Sequence, residues 1–307
     1  MADRLIFRCE GGDHPIALAP ESAPRTLAAL KAWLPAEVTI HCAKIAGCHI
    51  YWPTPILETL ERGTDVHALP PGAFLYYPDR QYMELTYDAL QAETAAVTLL
   101  GHLTEPLDWL RAFADTQRRE HGQTMFTARL FFPGQDSGAA PPLPVVEESD
   151  SAFAHLRAGR HRAWAEEPAE LRALLARDGL NIPFGPLATA EGEFRRTQEL
   201  LWRLWRNTAG HDDPTRATVA REVLDLTLDR VVGYCHLTEA GAVLRAGRES
   251  LDEPDAPLDD ALRDIITYCG RMSAWLDLHI PWWHTNEIVR RNHQSPLGVP
   301  LSGHRDP

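Results

Sequence analysis

Pro133-Gly134-Gln135-Asp136-Ser137-Gly138-Ala139-Ala140-Pro141-Pro142-Leu143-Pro144 separates two textures of sequence. Before it, apolar residues recur at the short spacing of strands bounded by prolines; after it they recur at helical spacing, with many tryptophans. The stretch itself is small, polar and Pro-rich, and cannot bury enough apolar surface to fold alone. It reads as part of a linker over 134–150, joining a domain at 1–133 to a second at 151–294. A Pro/Gly-rich tail, 295–307, reads as a surface extension. A length of 307 residues exceeds what one hydrophobic core usually fills, and 44% hydrophobic residues suffice for two cores.

A net charge of -13 repels phosphate backbones, and no Lys/Arg-rich run interleaved with aromatics reverses it locally, so nucleic acid is not an expected partner. No apolar stretch approaches the roughly 20 residues of a membrane span, and the N-terminus runs into a strand pattern without the apolar segment of a signal peptide. A cytoplasmic protein without a membrane partner is the expectation. Cys9, Cys42, Cys48, Cys235 and Cys269 are scattered, with no C-x-x-C pair, and read as reduced residues packed as small hydrophobes.

In the first half, Leu5-Ile6-Phe7-Arg8-Cys9 reads as a strand and Ala23-Pro24-Arg25-Thr26-Leu27-Ala28-Ala29-Leu30 as a helix start. Glu21 or Ser22 is its expected cap, and Leu27, Leu30 and Leu34 share its buried face. Further strands are expected at 38–44, 48–52, 73–77, 82–87 and 95–100, an amphipathic helix from Pro106 to Phe113 and a closing strand from Phe126 to Phe131. Many short strands with one early helix suggest a closed barrel.

That order resembles the cyclophilin fold, in which a Pro-basic-Thr run like Pro24-Arg25-Thr26 opens the first helix. It is similar in more detail to an uncharacterised bacterial family of cyclophilin-like domains. The matching positions are Lys44-Ile45-Ala46-Gly47, Trp52-Pro53, Pro71 to Pro78, Glu84, Tyr87 and Leu100-Gly101-His102-Leu103. The likeness covers the first half only. Prolyl isomerases of the cyclophilin family place an Arg shortly after an aromatic-His pair, whereas this chain has Ile40-His41-Cys42-Ala43-Lys44. An ammonium does not offer a guanidinium's planar fork, so prolyl isomerisation is the less favoured activity.

The alternative is a small-molecule site on the barrel. Lys44, Glu84 and His102 are the candidate catalytic residues, a cation to polarise a carbonyl and two groups able to move a proton. Trp52 and Tyr77 are candidate binding residues, against the simpler reading of both as barrel packing. For Glu84, between Met83 and Leu85, the simpler reading is a solvated outer face. His41, His49 and His102 read equally as ordinary hydrogen-bonded histidines.

The second half reads as an all-helical bundle, with helices at 151–156, 168–175, about 193–207, about 214–246, 258–278 and 282–292. Asp213 and Asp255 are the expected caps of the fourth and fifth. Glu222, Asp225, Asp229 and His236 share a stripe of the fourth helix, either metal-directed or a solvated face partnered by Arg221 and Arg230; no Glu-x-x-His pair accompanies them. Trp275 to Glu287 combines three indoles, two imidazoles and two carboxylates about a break at Pro281. There Trp282 and Trp283 are candidate substrate-binding residues, and His279, His284 and Glu287 weak candidate metal ligands. Trp202 and Trp205 are expected to pack against this segment.

Two functions fit. In one, barrel and helices enclose an enzyme site for a small amide, lactam or carboxylate, of hydrolase or isomerase type, with Trp282 and Trp283 as an aromatic lid. In the other, the barrel is a non-catalytic scaffold and the Trp-rich helices form a homo-oligomer or partner interface. No Gly-rich phosphate loop, Gly-x-Ser-x-Gly elbow or His-Glu-x-x-His pair occurs, so no nucleotide cofactor is expected.

Overall fold

The computed structural model describes residues 4–10, 12–44, 47–90, 95–135, 150–176 and 184–293. Most of the expected linker (136–149) and the expected tail (295–307) lie outside the described residues. Among the described residues up to 135 there are nine strands: β1 (Arg4–Cys9), β2 (Gly12–Leu18), β3 (Ala36–Cys42), β4 (Gly47–Pro53), β5 (Thr64–Asp65), β6 (Ala73–Tyr77), β7 (Tyr82–Leu90), β8 (Ala96–Leu103) and β9 (Phe126–Phe131). All pairings are antiparallel. The order β2-β1-β9-β3-β4-β7-β6-β8 closes through β8 onto β2, giving an eight-stranded barrel with the two-residue β5 attached to β8.

Eight strands leave an interior just wide enough for side chains to fill. Leu5, Phe7, Ile16, Ile40, Ile50, Trp52, Phe74, Tyr76, Met83 and Leu85 fill it. Two helices flank the barrel, α1 (Pro24–Trp33) and α2 (Asp108–Glu120). α1 buries Leu27 and Leu30 as its spacing predicts, with Pro24 in its first turn and Leu34 buried just beyond it. Its cap differs from expectation. Neither Glu21 nor Ser22 serves; instead the Glu61 carboxylate accepts from Arg25 N–H (3.1 Å), Thr26 N–H (2.8 Å) and the Thr26 hydroxyl (2.7 Å). A carboxylate from a distant loop satisfies the orphan donors and favours the positive end of the helix dipole.

From residue 150 onward come α3 (Ala152–Ala165), α4 (Ala169–Leu175), α5 (Phe184–Arg206), α6 (Asp213–Val231), α7 (Thr238–Ser250), α8 (Leu258–Leu278) and α9 (Trp282–His293). The expected single helix over 214–246 is two, α6 and α7. The chain leaves helical geometry after Val232, and His236 adopts the left-handed conformation (φ 59°). The cap of α6 is Asp212, one residue before the expected Asp213, its side chain accepting from Thr215 N–H at 3.0 Å. The acidic stripe is a solvated face: Asp225 pairs with Arg248 at 2.5 Å, both partly exposed, and His236 lies beyond the helix. Residues 264–278 of α8 are all buried, as befits a helix surrounded by α5, α3, α7 and the barrel. No helix among the described residues is long and apolar enough to cross a membrane, and all five cysteines are free thiols.

The helices pack on the outside of the barrel, over β3, β4 and β7. Inward residues of β4 and β7 (Ile50, Trp52, Met83, Leu85) alternate with outward ones (Tyr51, Tyr82, Glu84), and the helical half covers the latter. Trp202 Nε1–H donates to Asp79 Oδ1 (2.9 Å) and the Gln198 amide to Gln81 Oε1 (2.6 Å), tying α5 to the β6–β7 turn. Trp205 stacks on Trp202, centroids 5.2 Å apart, and Trp202 shares a core with Trp275.

Closure of the barrel needs a glycine at 101, where a Cβ would stand 2.3 Å from the Ala17 carbonyl oxygen on β2. Because backbone rather than a flexible side chain would have to move, Gly101→Ala is expected to cost about 2–3 kcal/mol. The check is the urea midpoint of the variant; an unchanged midpoint would show that the β2–β8 seam yields freely.

Candidate functional site

Covering the outward face of β4 and β7 with helices brings polar side chains of both together. A cavity of about 340 Å³ lies there, lined by Ala43, Lys44, His49, Tyr51, Tyr77, Arg80, Tyr82 and Glu84 from the barrel and by Glu191, Arg195 and Trp282 from the helices. His49 and Tyr51 project from β4, Tyr82 and Glu84 from β7, two apart in each strand, and Tyr51 lies opposite Glu84 in register. Glu191 and Arg195 sit one turn apart on α5, the acid N-terminal to the base, and form an ion pair.

Beneath the cavity is Asp277, in the last turn of α8 and fully buried. Its Oδ2 accepts from His41 Nδ1–H at 2.8 Å and from the Tyr51 hydroxyl at 3.3 Å; its Oδ1 accepts from Trp282 Nε1–H at 3.0 Å and pairs with Lys44 Nζ. Arg195 stands 3.8 Å from the same Oδ1 and donates to the Tyr82 hydroxyl at 3.1 Å. Lys44 also donates to the Tyr51 hydroxyl at 2.9 Å and lies 5.3 Å from the Trp282 ring centroid. The rings of Tyr51 and Tyr82 stack at 4.6 Å.

Burial decides the protonation of these groups. It pushes the Lys44 ammonium well below its ordinary pKa, helped by the Arg195 guanidinium, and pushes the Tyr51 phenol well above its own. His41 is likewise held well below its usual range by burial and then by Lys44, so it is a neutral donor to Asp277. Against the pull of burial, Tyr82 and Glu191 raise Arg195, which stays a cation. His49, pushed down to about 4 by burial, faces Glu84 as a neutral imidazole, with Nε2 to Oε2 at 3.6 Å, longer than a hydrogen bond.

Next to this, His121 Nε2–H donates to the Asp277 carbonyl (3.2 Å), which leaves Nδ1 to accept from the Cys42 thiol (3.4 Å). Trp283 Nε1–H in turn donates to Cys42 Sγ at 3.1 Å. Gly122, in the left-handed region (φ 82°), lets Pro281 approach to 3.3 Å from where a Cβ would be, which seats the break between α8 and α9 on the barrel.

Of the residues singled out in the sequence, Lys44, Glu84, Tyr77 and Trp282 line one cavity. Three do not join them. Trp52 is packed inside the barrel between Phe7 and Phe74, because it alternates with the outward Tyr51. His102 sits on β8, opposite Ala17 and Ala73, and is not part of the cavity wall. Trp283 faces a separate groove with Arg118, Arg119, His284 and Glu287. Nor do the weak metal candidates converge: His279 is bonded to Glu167, whereas Glu287 is exposed beside Arg290. Among the described residues no three His, Cys, Asp or Glu side chains are grouped to hold a metal. Glu84 is on the outer face of the barrel, as its alternation indicates, but the helices keep it from water, only 5% exposed.

Arg195, Glu191 and Arg80 are not among the candidates read from the sequence, and Asp277 enters that reading only as one of the two carboxylates of the Trp275 to Glu287 stretch. Asp277 carries a signal, a lone carboxylate in the apolar run Ala274-Trp275-Leu276-Asp277-Leu278. Glu191 and Arg195 carry none, since the same spacing is ordinary on a solvated helix.

No protein-family model matches the chain, and no curated protein is significantly similar to it. The structure superposes on that of McbB in complex with tryptophan with a TM-score of 0.74, over 92% of this chain and 99% of that one, at 20% sequence identity. The likeness therefore spans both the barrel and the helices, and it establishes a shared fold. A second solved structure, the hypothetical protein AF2241 from Archaeoglobus fulgidus, has a TM-score of 0.34 over 42% of the chain, too low to bear on the fold.

Burial of two neutral histidines makes the seam acid-sensitive. His49 and His121 are both pushed down to about 4 from an ordinary 6.5. Such a group binds its proton more tightly unfolded, so its contribution is whole above pH 6.5 and drains away as pH falls toward 4, by about 1.4 kcal/mol per pH unit for each histidine. The urea midpoint is expected to fall between pH 6.5 and 5, before carboxylates titrate, and His49→Gln to flatten that slope. A midpoint constant over this range would contradict the assignment of neutral histidines.

Proposed function

We propose that the cavity binds a small zwitterion of the aromatic amino-acid class and that Glu84 accepts a proton from it. The observation that carries this is the placing of both charge signs on one small cavity, Lys44, Arg80 and Arg195 with Glu84 and Glu191, between the rings of Tyr51, Tyr77, Tyr82 and Trp282. A ligand bearing only one sign engages only the groups of the opposite sign. A ligand bearing both meets each, its carboxylate at the guanidinium of Arg195 and its ammonium at Glu84, while its ring lies against phenols and indole. McbB, with the same fold, has been solved with tryptophan, a ligand of this class.

The chemistry follows from what the wall lacks as well as what it holds. Among the described residues lining the cavity there is no Ser, Thr or Cys, and its hydroxyls are the phenols of Tyr51, Tyr77 and Tyr82. A buried carboxylate beside a neutral imidazole suits general base catalysis instead. Glu84 takes the proton of the ligand's ammonium and becomes a carboxylic acid, which frees the amine lone pair for reaction. Lys44 and Arg195 hold the carboxylate end, and Trp282 covers the site. We further propose that the barrel belongs with the cyclophilin-like domains, supported by its eight antiparallel strands, one helix after the second strand and another before the last.

Isothermal titration with tryptophan, tryptamine and indole-3-propionate tests the reading. Tryptophan is expected to bind about tenfold or more tighter than either analogue, since each leaves a buried charge-assisted bond unmade. Arg195→Met is expected to erase the advantage over tryptamine, and Glu84→Gln the advantage over indole-3-propionate. Equal affinity for all three ligands, or none, would sink it.

A further inference from the structure

We propose that Asp277 is a positioning residue that sets the charge selectivity of the cavity, an inference that rests on the zwitterion reading above. Its placement is unfavourable on local grounds. It is fully buried, and it lies in the last turn of α8, where the helix dipole already presents partial negative charge. A buried carboxylate in that position is held only by what surrounds it. Here its partners come from five parts of the chain: His41 from β3, Lys44 from the β3–β4 connection, Tyr51 from β4, Arg195 from α5 and Trp282 from α9.

Four of those partners, Lys44, Tyr51, Arg195 and Trp282, line the cavity. Asp277 itself is not part of the wall. It acts through them: it fixes the Lys44 ammonium at the floor, holds the Trp282 indole over that ammonium, and partly offsets the Arg195 guanidinium. Glu191, the other carboxylate near Arg195, is bonded to that guanidinium and to the Ser273 hydroxyl (3.2 Å), and does not reach Lys44 by any bond described here. The Asp277 carboxylate accepts donors on both oxygens and offsets positive charge at Lys44 and Arg195. Without it Arg195, which stays a cation, loses one of its two neighbouring carboxylates, and the cavity turns from a zwitterion site toward an anion site.

The experiment compares dissociation constants for tryptophan, which has no net charge, and indole-3-propionate, which keeps ring and carboxylate but lacks the amine. Asp277→Asn retains the volume and an acceptor for His41 and Tyr51 but not the charge. The ratio of the two constants is expected to shift toward indole-3-propionate by about tenfold. Lys44→Met, which removes the cation instead, is expected to shift the ratio the opposite way, and the double variant to return to within about threefold of wild type. A merely structural role predicts equal losses for both ligands. Equal losses in Asp277→Asn, or an unmoved ratio in Lys44→Met, overturn the proposal, and the second arm is readable even if Asp277→Asn does not fold. Failure of the wild type to bind either ligand is a distinct outcome that rejects the zwitterion reading and this inference with it.

Discussion

A single buried carboxylate, that of Asp277, joins the two halves of this protein. Burying an ion costs several kcal/mol even after relaxation, and that cost is offset only where donors surround it. Asp277 meets donors on two barrel strands, on the loop between them and on the next helix. Removing any of those elements takes away at least one of those donors. The register of α8 against the barrel is therefore fixed more narrowly than apolar packing alone would fix it, since hydrophobic contact is tolerant of small slides and a four-donor carboxylate is not.

The same logic shapes the cavity above. An eight-stranded barrel has no room inside for a ligand of this size, because its interior is filled by side chains. The site lies instead on the outer face, where alternation along β4 and β7 presents Tyr51, Tyr82 and Glu84, and where the helices add Glu191, Arg195 and Trp282. Charges on an open barrel face would be screened and weak. Covered by α5 and α9, they act at short range in a poorly solvated space, and burial moves Lys44, His41 and His49 away from their ordinary protonation.

Strand alternation and helical spacing made the architecture legible: a barrel, then helices, with the buried faces of α1 and α8 readable from Leu27, Leu30 and the apolar run before Leu278. The site was legible in part. Lys44, Glu84, Tyr77 and Trp282 stood out by residue type, but Trp52 and His102 did so equally; the pleat turns Trp52 inward, and His102 lies on β8, away from the strands the helices cover. One register step separates Trp52 in the core from Tyr51 in the cavity. The Glu191–Arg195 pair was invisible because nothing local tells a helix that its charged face will be covered. Glu61 as the cap of α1 was invisible for the same reason, its partners lying 35 residues away.

The position of the cavity has a consequence for how the molecule responds to a ligand. Its wall is drawn from both halves, Lys44, Tyr51 and Glu84 on one side and Glu191, Arg195 and Trp282 on the other. Glu84 stands on the barrel side and Arg195 on the helical side, so a ligand that bridges them binds the docked arrangement and not the separated one. By mass action, such a ligand stabilises the seam itself. The seam also holds His41, His49 and His121, each pushed by burial below its ordinary range. Ligand affinity and proton uptake are thus linked through one interface: protonating those rings weakens docking, and weaker docking lowers affinity even for a ligand whose own charge does not change.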